Sequence, residues 1–95
     1  MDPEALDKAI EKEIAKGNKP FQIISLSGTT ALGGFDDAVA INAIAKKYDI
    51  WHHVDTCWGG FLAWADPEKR GTLFDGVELA DSIAFNPHKG WGIPQ

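Results

Sequence analysis

The chain has one cysteine, Cys57. No intrachain disulfide can form, and a zinc site would need ligands of other kinds. A single unpaired thiol suits a reducing, cytoplasmic setting. Long apolar runs are also missing. Nothing approaches the ~20 residues of a membrane span, so no membrane partner is expected. The N-terminus is charged and carries no hydrophobic signal core. Positive charge is scarce. Nine Lys and Arg stand against 14 Asp and Glu, for a net charge of -5. Only Lys46-Lys47 and Lys69-Arg70 are adjacent, so no basic cluster is there to hold a nucleic-acid backbone. Internal repeats and low-complexity segments are absent as well.

What remains is an ordinary α/β composition, 44% hydrophobic and 24% charged over 95 residues. That is one small domain at most. Such a chain buries roughly 60–65% of its unfolded surface, so its core is thin.

Residues 3–16 read as a helix. Asp2 can cap it, Pro3 suits its first turn, and Ala5, Ile10 and Ile14 recur at roughly helical spacing. Gly17-Asn18 and Lys19-Pro20 stop it. Phe21 to Leu26 is an apolar, branched run that predicts a buried strand. A loop follows through Gly28, Gly33 and Gly34, and Asp36 is the expected N-cap of the next helix. That helix spans about 37–48 with Val39, Ile41, Ile44 and Ala45 as its apolar face. Ile50 to Val54 is the second strand, with a turn at Gly59-Gly60. Residues 66–76 read as a loop with a short helix, and Ser82 to Phe85 as the third strand. The order predicts a parallel α/β sheet with a crossover helix.

Ligands of such sheets bind beyond the carboxyl ends of the strands. Those ends carry Gly28-Thr29-Thr30, Asp55-Thr56-Cys57 and Asn86-Pro87-His88-Lys89. The three polar groups converge on one predicted edge. A lysine and an aspartate are what pyridoxal phosphate needs most. The amine forms a Schiff base with the cofactor aldehyde, and the carboxylate keeps a proton on the pyridine nitrogen.

Each residue also has an ordinary reading. Asp55 alone is a cap or a strand-end charge, and an unpaired carboxylate there is costly to bury. Lys89 alone is a solvated loop charge. His88 is a loop histidine bonded to backbone, and a lone Gly-Thr loop is common. His53, Asp55 and Cys57 alternate on one strand face, with His52 and His88 nearby, which leaves a transition-metal site open. No CxxC or HxxxH pair supports it, and no metal is expected. Four tryptophans are many for this length; most are expected to pack in a core or against absent protein, with Trp58 beside Asp55 as a candidate pocket wall.

Ser27-Gly28-Thr29-Thr30, Gly33-Gly34-Phe35-Asp36, Trp51 through Gly60, Ala80-Asp81-Ser82 and Asn86-Pro87-His88-Lys89 follow one another in unbroken order. Together they resemble the group II pyridoxal-phosphate-dependent amino acid decarboxylases. The Trp-Gly-Gly after the aspartate and the Gly-Ile-Pro-Gln ending are more similar to glutamate and cysteine sulfinate decarboxylases than to aromatic ones. The resemblance implies an α/β segment of the large cofactor-binding domain of the aspartate-aminotransferase fold. Residues 1–19 would be a helical lead-in and 20–95 the cofactor-binding core. It implies pyridoxal 5'-phosphate as cofactor and a small amino acid as substrate, acidic by subgroup, with CO2 released. Lys89 would be the Schiff-base lysine and Asp55 the pyridinium partner. Thr30 and Asn86 match positions that contact the cofactor, and His88 one near its phosphate. Cys57 and Thr56 stand where the family has alanine, and His52 where it has leucine. The stretch from Gly90 to Gln95 is shortened relative to the family pattern.

Family members are several times longer and work as homodimers. The resemblance therefore also implies that the chain is a piece of such an enzyme. On that view it is inactive alone, acting at most by association with a full-length decarboxylase.

Overall fold

The computed structural model of the chain describes residues 1–94. Helix α1 (Pro3–Ala15) leads into strand β1 (Gln22–Leu26), helix α2 (Ala38–Lys47) and strand β2 (Trp51–Asp55). Two 3-10 helices, Gly59–Trp64 and Val77–Leu79, flank the short helix α3 (Pro67–Arg70), and strand β3 (Ser82–Ala84) follows. The sheet is parallel throughout, in the order β1-β2-β3.

Local chemistry sets the helix ends. Asp2 caps α1 by accepting from the backbone N–H of Glu4 and Ala5. Gly17, with φ 84°, takes the left-handed turn that closes the helix. At α2 the cap is Asp37, not Asp36: its carboxylate accepts from Ala40 N–H at 2.9 Å. Asp36 instead accepts from Leu26 N–H at 2.8 Å and pairs with the Met1 ammonium. Two adjacent aspartates offer the same cap in sequence. The antiparallel bridge Ser27–Phe35 draws the first one back to the sheet. Asp49, at φ 54°, then turns the chain out of α2 into β2.

The core lies on one face of the sheet. Ile10 of α1, Ile23 of β1, and Ile41 and Ala45 of α2 form one cluster with Ile50. Ala38, Val54 and Val77 form a second. A fully buried Ile41 contributes about 1.5–3 kcal/mol. Val39 is half-exposed rather than part of this face, and Asn42 takes a buried place beside Ile41. The helices are also joined at the surface, where Tyr48 OH donates to Asp7 at 2.6 Å and Lys47 bonds the same carboxylate.

The expected buried strand is buried on one side only. Ile23 and Ser25 point inward while Gln22, Ile24 and Leu26 are exposed. Alternation puts every second residue on a face that no helix covers. None of the four tryptophans is buried, so core packing does not account for them.

His52 is fully buried and bonded to Ser25 Oγ at 2.8 Å. Its Nδ1 has no partner among the described residues. Burial pushes the ring's pKa below its ordinary value, partly opposed by the charge of Asp81.

Candidate functional site

Three loops leave the carboxyl ends of the three strands and are stitched together by backbone. Ser27 N–H donates to Asp55 O at 2.9 Å, and Gly59 N–H returns a bond to Ser27 O at 3.0 Å. Thr56 N–H and Thr56 Oγ1 both donate to Ala84 O, at 3.0 and 2.5 Å. The buried threonine thus has its own hydrogen-bonding task between β2 and β3. The first loop is closed on itself, with Gly28 and Thr29 N–H both donating to Gly34 O.

Glycine is needed where two of these loops cross. A Cβ on Gly28 would sit 2.7 Å from Gly59 Cα, and one on Gly59 would overlap the Ser27 carbonyl. A side chain at either position would push the loops apart.

Between the loops lies a cavity of about 140 Å³ lined by Leu26, Gly28, Thr29, Thr30, Asp55, Cys57, Trp58 and Lys89. Of the six expected site residues, four meet there: Thr30, Asp55, Cys57 and Lys89. Asn86 and His88 do not line it. They belong to the turn that delivers Lys89, in which Lys89 N–H donates to Asn86 O at 3.2 Å. That turn is held from both ends by aromatic rings. Phe85 and Trp91 lie 5.9 Å apart between centroids, and both pack on Trp64.

Asp55 is the last residue of β2 and only partly buried. Its carboxyl is held below the usual carboxylate range, first by hydrogen bonds from the Cys57 thiol and backbone N–H, against a smaller upward push from burial. The Cys57 N–H to Oδ1 distance is 2.9 Å. The charges of Lys89 and His53 act in the same downward direction. Asp55 in turn pushes the Cys57 thiol up. Lys89 Nζ lies 5.8 Å from the centroid of Trp58, within reach of a cation–π contact.

A larger cavity, about 560 Å³, runs along α2 past Asp36, Asp37 and Asp75. It holds carboxylates but no amine, so it lacks the lysine–aspartate pairing of the smaller one. Among the described residues no three His, Cys, Asp or Glu side chains are grouped to hold a metal ion. His52 faces the core, whereas His53 and Asp55 face the other way. That placement divides the candidate ligand set.

The family model for the pyridoxal-dependent decarboxylase conserved domain matches residues 1–94. The chain belongs to the pyridoxal-dependent decarboxylase family. It is 46% identical over 94 residues to a glutamate decarboxylase-like protein of Gibberella zeae, covering 99% of the chain and 18% of that protein. It is 42% identical over 89 residues to the cysteine sulfinic acid decarboxylase of Rattus norvegicus, covering 94% of the chain and again 18% of the relative. The crystal structure of mouse CSAD superposes with a TM-score of 0.87 at 42% identity, over 94% of this chain and 18% of that one. The chain therefore spans about a fifth of the length of these decarboxylases, and its α/β fold is theirs over that span. No helix among the described residues is long and apolar enough to cross a membrane.

Sequence reasoning did not single out Leu26 as a cavity wall. Leu26 reads as one more apolar strand residue, and only the strand's alternation turns it to the open face. The Gly59-Gly60 doublet reads as a turn; it opens a 3-10 helix instead, and its close packing against Ser27 is invisible without the fold.

Proposed function

We propose that this chain is the core of the cofactor-binding domain of an amino acid decarboxylase that uses pyridoxal 5'-phosphate. The observation that carries the proposal is the pair Asp55 and Lys89 on the walls of one cavity, at the carboxyl ends of adjacent parallel strands. The residues fit the cofactor. One wall supplies a carboxylate that keeps its charge, and another supplies a primary amine.

When bound, the cofactor supplies an electron sink for the pair left as the Cα–carboxylate bond breaks. The chain's own residues position and hold charge. Lys89 would hold the cofactor aldehyde through its Nζ. Asp55, held below the usual carboxylate range, would keep a negative partner beside the ring nitrogen and so favour its protonated form. Thr30 and Cys57 line the same cavity, where Thr30 would offer a hydroxyl and Cys57 would pack against the ring. Asn86 and His88 belong to the turn that carries Lys89, and by resemblance they would contact the cofactor and its phosphate respectively. Residues 1–19 form the lead-in and 20–95 the cofactor-binding core.

The names of its relatives support an acidic substrate, glutamate or cysteine sulfinate. A homodimeric parent in the cytoplasm completes the proposal, the unpaired Cys57 being suited to a reducing compartment. A second reading is that the chain alone is inactive and acts only by joining a full-length decarboxylase. It is favoured by the open sheet face, where Ile24 and Trp51 are half-exposed, and by the fifth of its relatives' length that the chain spans.

Labelled CO2 released from glutamate or cysteine sulfinate tests the proposal. Release by the purified chain with cofactor, lost in Lys89→Ala, supports activity. No release, alone, from a chain that still holds cofactor at Lys89 supports the second reading.

A further inference from the structure

Three of the four tryptophans have tasks outside the cavity. Trp64 and Trp91 pack on each other beside the turn that carries Lys89, and Trp51 Nε1–H donates to Ser82 Oγ at 2.9 Å. Trp58 is left, partly exposed on a wall of the small cavity. Its backbone is braced on both sides. Thr56 N–H, before it, bonds Ala84 O, while Gly59 and Gly60 N–H, after it, return to Ser27 O and Thr56 O. The indole therefore projects from a fixed segment.

Lys89 is of the opposite character. Its ammonium ends a flexible four-carbon stem. Asp55 presents the opposite charge from another wall of the same cavity. Attraction between the two would draw the amine onto the carboxylate and close the space between them. The structure shows another arrangement. Asp55 Oδ1 accepts from Cys57 N–H at 2.9 Å, and Lys89 makes no ion pair with any carboxylate among the described residues. Its Nζ lies instead 5.8 Å from the centroid of the Trp58 ring.

The two charges thus have separate anchors, a backbone amide for the carboxylate and an aromatic face for the amine. We propose that Trp58 is a positioning residue for Lys89: its indole face holds the ammonium on its own wall of the cavity, away from Asp55, and keeps the space between them open to the cofactor. A cation over an indole at a partly exposed site corresponds to about a two- to fivefold preference for the held position. A protein whose amine is held in the competent place retains ligand more tightly by the same factor. The inference rests on the proposed role of Lys89 and adds the group that places its amine.

Nuclear magnetic resonance of the 15N- and 13C-labelled full chain, without cofactor, reads the placement directly. The indole ring current should carry the Lys89 ε-methylene protons upfield of those of the surface lysines. Trp58→Leu should abolish that shift and move the Asp55 carboxyl titration further down, as the freed ammonium swings to the carboxylate. Trp58→Phe, which keeps an aromatic face, should preserve both. Equilibrium dialysis against pyridoxal phosphate should show about two- to fivefold weaker retention in Trp58→Leu and little change in Trp58→Phe. Lys89 ε protons that resonate with the surface lysines in the parent chain would overturn the inference with no variant needed. So would an Asp55 titration or a retention unmoved in Trp58→Leu. Capture of the cofactor at Lys89 with no ring-current shift sinks this inference alone. A ring-current shift with no capture sinks the proposed function and leaves the placement of the amine standing.

Discussion

Gly59→Ala should loosen the candidate site and the fold together. The new methyl group would overlap the Ser27 carbonyl oxygen, lie 2.7 Å from its carbon and press on the Phe35 ring at 3.0 Å. Two of these neighbours are backbone at the end of β1 and cannot rotate away. Overpacking of this kind costs about 1–3 kcal/mol. The displaced loop also strains the Gly59 N–H bond to Ser27 O, worth about 0.5–1.5 kcal/mol. Lower chain entropy in the unfolded alanine variant offsets about 0.4–1 kcal/mol. The net loss is about 2 kcal/mol, a large share of the ~5–14 kcal/mol expected for a domain this size. Urea denaturation followed by tryptophan fluorescence reads it. With a slope of about 1–3 kcal/mol/M, the midpoint should fall by roughly 1 M. Gly33→Ala is the control. Gly33 has φ 61° but no neighbour within 4 Å of a built Cβ, so only backbone strain of about 1 kcal/mol applies. A Gly59→Ala midpoint equal to the parent's, or less shifted than Gly33→Ala, would refute the claim that close loop packing shapes the cavity.

Three further outcomes follow from particular groups. The buried His52 ring has a folded-state pKa below its ordinary 6.5. Its contribution is present above that value and is lost as pH falls through the folded value, so the urea midpoint should drop on acidification below about 6.5. His52→Leu should flatten that dependence. Asp37→Ala should cost about 1 kcal/mol in the same assay by removing the cap of α2. Asp55→Asn removes the charged partner proposed for the cofactor ring. A charge-assisted bond of about 1.5–3 kcal/mol corresponds to at least tenfold weaker cofactor retention, measured by equilibrium dialysis.

The elements most legible in the sequence were those fixed by local chemistry. Asp2, Pro3 and Gly17 mark both ends of α1, and Gly28, Asp55 and Lys89 lie at or a few residues beyond the ends of the three strands. The parallel direction of the strands follows from the alternation of strand and helix. Less legible were choices decided by distant partners. Asp36 and Asp37 are equivalent caps until the Ser27–Phe35 bridge assigns them different tasks. Val39 carries an apolar side chain, yet α2 turns it outward and buries Asn42 instead. The His88 and Asn86 positions follow from the turn held by Phe85 and Trp91, a tertiary contact with no sequence period. Thr56 reads as a departure from an alanine pattern, and only the sheet shows its bond to Ala84 O.

The central claim is that Lys89 and Asp55 make one cofactor site. Its most direct test is to mix the purified chain with pyridoxal phosphate, reduce with borohydride and map the adduct by mass spectrometry, with Lys89→Ala alongside. The account predicts a single adduct at Lys89 that disappears in the variant. Labelling spread over the surface lysines, and unchanged in Lys89→Ala, would contradict it.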